Sequence, residues 1–227
     1  MASGITAGGR SRPLGGSAAA GVAQLLVRQR RGGLASLMAE HGAEESGDVW
    51  EILSSKYVVK DRWLTLRADD CRNADGQGIA PYYVLEYPPW VNVLALTPEH
   101  NVVLIKQYRH GIRQVILELP GGALDEQDAS IVAAAQRELR EETGYVAEEW
   151  RETGAVYANP ANHTNTIHCF LAFGAKCIYE PEREHTEHIE VLLMGVDELL
   201  ERAYKGELRH PHHVVSLFFA ARVLGRV

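Results

Sequence analysis

From Trp50 onward, apolar and polar residues alternate with the period of β-strands. YVVKDRWLTLRADDC keeps that period on both sides of a break at Lys60–Asp61. GIAPYYVLEYPP resumes it after the turn formers of NADGQG. WVNVLALT and NVVLIKQYR are two β-rich runs around PEHN, the pattern of a hairpin. VILELPGG runs as a strand into a Pro-Gly-Gly loop. The period then changes. In ASIVAAAQRELREET, Ile131, Ala134, Ala135 and Leu139 recur at helical spacing, Gly144 stands as a stop, and either Asp128 or Ser130 is placed to cap the start. Strands return as GAVYA, TIHCFLAFGAKC and IEVLLMG, and VDELLERAYKG and HHVVSLFFAARVLG read as two closing helices. This order predicts a mixed α/β domain rather than an alternating βαβ chain.

Composition narrows the class. With 227 residues, 46% of them hydrophobic, the chain can bury one domain with room for a small extra lobe. No apolar run approaches the roughly 18 residues of a membrane-spanning helix. A net charge of -7 disfavours a broad nucleic-acid surface. Cys71, Cys169 and Cys177 lack metal or redox spacing, and they read as free thiols, small buried hydrophobes of a reducing compartment. Before Glu40 lie Arg10, Arg12, Arg28, Arg30 and Arg31, with no lysine and no acid, among Gly, Ala and Ser. That composition resembles an organelle transit peptide; a disordered tail is the other reading. Residues 1–46 are therefore set aside as an extension. The protein is expected to be cytoplasmic, or mitochondrial or plastid if residues 1–40 are a transit peptide.

The chemistry concentrates at the end of the first helix. Glu138, Glu141 and Glu142 stand at i, i+3 and i+4, on one helical face. Like charges so placed repel by a few tenths of a kcal/mol per pair, and the helix dipole disfavours anions in the last turn. Arg137 offsets only part of this. A hard divalent cation would turn the repulsion into a site and would hold phosphate oxygens at the same time. The alternative is a solvated acidic face. A Gly-Gly turn just upstream allows close backbone approach, and its carbonyls are further oxygen ligands. The usual nucleotide-binding loops are missing: there is no Walker lysine and no GxGxxG.

Arg137-Glu138-Leu139-Arg140-Glu141-Glu142-Thr143-Gly144-Tyr145 closely resembles the late half of the Nudix box. The early half departs from it. With Gly122 opening the box, Asp128 stands where the family has glutamate, and the spacer to Arg137 is one residue longer. The family's early acid often pairs with the arginine. The resemblance covers roughly Trp50 to the C-terminus. It implies a Nudix-type α/β/α sandwich with a mixed sheet over residues 91–227, preceded by a small β-rich N-terminal lobe over 47–90. It implies Mg²⁺, or Mn²⁺, on Glu138 and Glu142, with Glu141 a further ligand or a base and the Gly121 carbonyl completing the set.

KQYRHG before ELPGG resembles the ADP-ribose and ADP-sugar pyrophosphatase branch, as does Pro160 downstream of the box. The resemblance implies hydrolysis of a nucleoside diphosphate sugar, ADP-ribose foremost, to AMP and ribose 5-phosphate, by a homodimer. Arg109 becomes a phosphate or ribose contact, with an ion pair to Glu118 as its other role, and Glu118 and Trp63 join it in the substrate set. Aromatic residues are natural purine contacts, and Trp50, Tyr82, Tyr83 and Trp90 are further candidates. EHTEHIEV resembles the branch's acidic approach to a strand, making Glu187 the candidate general base, with Glu184 the alternative. ANPANHTNT departs from the branch, which carries acids behind its proline. The histidines of RHPHH, lacking a metal-binding frame, read as surface or helix-start residues. A non-catalytic nucleotide-binding Nudix module is the rival class, and the three retained glutamates argue against it. Acidity and the lack of a basic stripe disfavour capped RNA.

Overall fold

The computed structural model describes residues 49–182 and 188–227. The arginine-bearing extension and both candidate bases, Glu184 and Glu187, lie outside those residues. The first three strands, β1 (Glu51–Lys60), β2 (Thr65–Arg72) and β3 (Gly78–Glu86), form an antiparallel sheet. The break at Lys60–Asp61 is an Asx turn: the Asp61 carboxylate accepts the Trp63 and Leu64 amides at 2.7 and 2.9 Å. β1 is exposed at nearly every position.

The second sheet has seven strands in mixed orientation. Its main order is β12 (Ile189–Gly195), β5 (Asn101–Arg109), β4 (Trp90–Leu96), β10 (Thr166–Phe173), β9 (Glu149–Tyr157). β4 and β10 are parallel; the other neighbours are antiparallel. VNVLAL is apolar at every position but Asn92 because both faces of β4 are covered. Val91, Val93 and Ala95 pack with Ala134, Ala135 and Leu139 of helix α1 (Ile131–Thr143). Leu94 and Leu96 face the other way, onto α2 (Val196–Tyr204) and α3 (Pro211–Val223), through Leu199 and Leu217. Each such leucine, fully buried, contributes about 1.5–3 kcal/mol. The result is the expected α/β/α sandwich.

One departure from regular pairing builds the site. β4 and β5 form the expected hairpin, but they pair only at Ala95↔Val103 and Leu96↔Val102. Beyond that they diverge. β6 (Gln114–Glu118) takes the freed edge of β5, and the short β7 (Gly121–Ala123) takes that of β4. The Leu119-Pro120 link is thus wedged between two parting strands, and the Pro120 carbonyl accepts the Val93 amide at 2.9 Å. β7 was not legible as a strand, because Gly-Gly-Ala has no β-propensity of its own. The expected strand TIHCFLAFGAKC divides after Phe173: its Lys176–Cys177 end is a separate strand, β11, paired with the two-residue β8 (Tyr145–Val146). Two of the cysteines are buried as expected, but Cys177 is exposed on β11. No described helix is long and apolar enough to cross a membrane.

Candidate active site

α1 starts where Ser130 accepts the Ala133 amide at 3.2 Å, and it stops at Gly144 in the left-handed region (φ 75°). Ser130, not Asp128, is the cap. Asp128 instead accepts both Nε and Nη2 of Arg137, at 3.1 and 3.0 Å. The shortened acid and the lengthened spacer therefore still reach the arginine. Arg137 also donates to the Ala123 carbonyl at 2.9 Å, to Glu138 at 2.9 Å and to Glu141 at 3.0 Å. One guanidinium thus serves three carboxylates. The Asp128 hydrogen bond, with Glu138 and Glu141 behind it, holds the Arg137 pKa above its ordinary value, and Arg137 in turn holds the Asp128 carboxyl below the usual range. The repulsion read from the sequence is already relieved here, more fully than the charge pattern suggested.

The glycine loop lies against this turn. The Gly121 amide donates to Glu142 at 2.9 Å, and Glu142 is buried. A Cβ on Gly122 would collide with the Glu138 carboxylate, and one on Gly121 would collide with the Val91 carbonyl. At Gly121 glycine is required because the loop meets the β4 backbone, and at Gly122 any side chain would have to displace the Glu138 carboxylate. Among the described residues, no three acidic, histidine or cysteine side chains are already gathered as a metal cage: Arg137 draws Glu138 and Glu141, and Glu142 turns to the loop amide. The donor chemistry nevertheless fits a hard divalent cation, with three carboxylates in one helical turn and the Gly121 backbone beside them.

A cavity of about 460 Å³ opens on the other side of the loop, lined by Gly121, Gly122, Trp90, Arg109, Arg209 and the histidines of RHPHH. Arg109 is clamped by Glu118 through three contacts of 2.7–3.1 Å. The Glu118 side chain is fully buried, and burial raises its pKa against the opposing pull of Arg109. Glu118 therefore orients Arg109 from beneath. Trp63 is elsewhere: it is 70% exposed in the β1–β2 turn, with Arg62 over its ring at 4.2 Å, and it does not line this cavity.

The histidines depart from their surface reading. They do start α3, but they are folded inward. His213 is buried and stacks on His210 at 4.3 Å; His210 lies 4.9 Å from His212, and His212 lies 5.8 Å from Trp90. Burial, then His212 and Arg109, pushes His210 down to about 4. A histidine with a depressed folded pKa takes up its proton more readily once unfolded. Stability is thus expected to fall with acidification from about pH 6.5 to about 4. Thermal melts across that window should show a smaller loss in His210→Phe than in the parent.

The NUDIX domain matches residues 86–217, and the nucleoside diphosphate sugar hydrolase N-terminal domain matches residues 50–85. The chain belongs to the Nudix family and is a Nudix diphosphohydrolase. Among its relatives, an ADP-ribose pyrophosphatase of Mycobacterium tuberculosis is 30% identical over 75% of this chain and 79% of that protein. An ADP-ribose pyrophosphatase of Bacillus subtilis is 27% identical over 66% and 80%. A GDP-mannose pyrophosphatase of Cronobacter sakazakii is 30% identical over 52% and 64%. The crystal structure of an ADP compounds hydrolase superimposes with a TM-score of 0.68 over 78% of this chain and 97% of that one; at 19% identity the likeness is one of fold.

Proposed function

We propose that the protein hydrolyses the diphosphate bond of a nucleoside diphosphate sugar, with ADP-ribose the first candidate, in the presence of Mg²⁺ or Mn²⁺. The observation that carries this reading is the contact of the glycine loop with Glu142 and Glu138, which sets the loop backbone and the carboxylates together beside the cavity that holds Arg109. The names of the two ADP-ribose relatives support the substrate, and the GDP-mannose relative supplies the competitor.

Glu138, Glu142, Glu141 and the Gly121 carbonyl would hold the cation, which supplies positive charge against the diphosphate oxygens. Arg109, oriented by Glu118, adds a guanidinium fork for a phosphate. Glu187 or Glu141, with Glu184 the alternative to Glu187, accepts a proton from water as the water oxygen bonds to one phosphorus. The bond from that phosphorus to the bridging oxygen breaks, and the other phosphate leaves. ADP-ribose would yield AMP and ribose 5-phosphate.

A homodimer joined through the first sheet is part of this reading. Ile52, Leu53, Tyr57 and Val58 of β1 are all exposed, more apolar surface than a solvated sheet needs. The test is a panel of ADP-ribose, ADP-glucose, GDP-mannose, UDP-glucose, NADH and 8-oxo-dGTP with Mg²⁺, Mn²⁺ or EDTA, with light scattering on the same sample. The expected result is metal-dependent release of AMP from ADP-ribose by a dimer. Equal turnover in EDTA, or cleavage of none of these, rejects the assignment.

A further inference from the structure

The wedge between β4 and β5 sets a problem of backbone accounting. β6 ends at Glu118 and β7 begins at Gly121, so the two residues between them have no ladder partners. Buried amides must nonetheless be paired. Pro120 has no N–H. The amides on either side of it go to opposite layers of the sandwich: Gly121 N–H to Glu142 of α1, and Leu119 N–H to Nδ1 of His213 of α3, at 3.1 Å. Nδ1 accepts, so the ring proton sits on Nε2. The His210 ring stacks on His213 with an interplanar angle of 11°. One turn along α3, Ser216 accepts from Asn92 Nδ2 at 3.2 Å, and Asn92 pairs with Gly121 across β4 and β7. The start of α3 thus buttresses the loop at two polar points.

The geometry points to His213 as a positioning residue: by fixing the Leu119 amide, it sets the depth at which the Gly121 carbonyl and amide stand relative to the carboxylates of α1. His213 also lines the cavity, but the role assigned to it runs through two residues of backbone, from the Leu119 amide to Gly121. The effect on turnover rests on the diphosphohydrolase reading; the effect on loop position does not.

The test uses the full chain and two substitutions. In His213→Asn the amide oxygen stands near the place of Nδ1 and keeps an acceptor. In His213→Leu bulk is kept and the acceptor is lost. Three quantities are read: kcat and KM separately on ADP-ribose, Mn²⁺ affinity without substrate, and amide hydrogen exchange over residues 119–122. Leu is expected to lower kcat and Mn²⁺ affinity by about 10- to 100-fold, with KM nearly unchanged and exchange accelerated at the loop alone. Asn is expected to recover most of each loss. If Leu does not fold, His213→Gln, with its acceptor one methylene further out, takes its place, and Asn should still exceed it. Equal behaviour of Asn and the acceptor-displacing variant, or unchanged loop exchange, overturns the proposal. A wild-type protein inert toward ADP-ribose would sink the substrate assignment, while exchange and Mn²⁺ affinity would still decide the role of His213.

Discussion

Glu142→Gln is expected to lower turnover by about a thousandfold or more, roughly 4 kcal/mol in barrier, while the fold survives. The two halves of that expectation have separate causes. Glutamine keeps the shape of the side chain and an oxygen that can accept the Gly121 amide, so the loop contact at 2.9 Å is retained. The charge is what is removed, and a neutral amide is a poor ligand for a hard cation. Circular dichroism and Tm of the variant should match the parent within the effect of about 1 kcal/mol. The product assay should be nearly silent, and Mn²⁺ affinity should fall alongside. Near-normal turnover in Glu142→Gln would remove Glu142 from the ligand set.

Arg137→Met should produce the largest loss of stability of any surface-reaching substitution near the site. It strips the counterion from Asp128, Glu138 and Glu141 at once, whose side chains are only 7%, 14% and 29% exposed. Breaking a fully buried pair costs about 3–5 kcal/mol; with Arg137 itself 26% exposed, solvent screening brings the expectation nearer 2 kcal/mol. The distinguishing feature is its dependence on magnesium. A cation among the same carboxylates replaces the missing charge, so the drop in Tm should be greater in EDTA than in Mg²⁺. Asp128 adds a pH signature. Its folded pKa is depressed, so its pairing stabilises the parent above the ordinary carboxylate range, and that stability is lost as pH falls through the folded value. The variant should lack this acid limb. A Tm loss identical with and without Mg²⁺ would mean that these acids do not gather a cation.

Much of this was legible in the chain, and for physical reasons. Helix α1 carries its own start and stop in Ser130 and Gly144, and its small apolar face shows where it meets the sheet. The paired runs around PEHN announce the hairpin. What escaped was structure imposed from a distance. β7 is a strand only because β4 offers it an edge. β9 begins at Glu149, well ahead of GAVYA, because β10 supplies partners for polar residues that show no strand pattern alone. Glu118 was open to two readings, substrate contact or partner of Arg109, and only its burial, which the local sequence does not show, favours the partner. His213 was the least legible. Its partner is a main-chain amide 94 residues upstream, and no side-chain motif marks such a bond. The signal available was a histidine two residues after the proline at the head of a largely apolar helix, an odd choice unless its ring is needed indoors.

The parallel register of β4 with β10 has a consequence for how the protein is made. It joins residues 90–96 to residues 166–173, and the glycine loop and all of α1 lie in the chain between them. The hairpin can zip as soon as it leaves the ribosome, but the floor under the carboxylates cannot close until that long excursion has been synthesised and brought home. Such distant closures slow refolding. The floor of the site is therefore expected to mature later than the hairpin beside it.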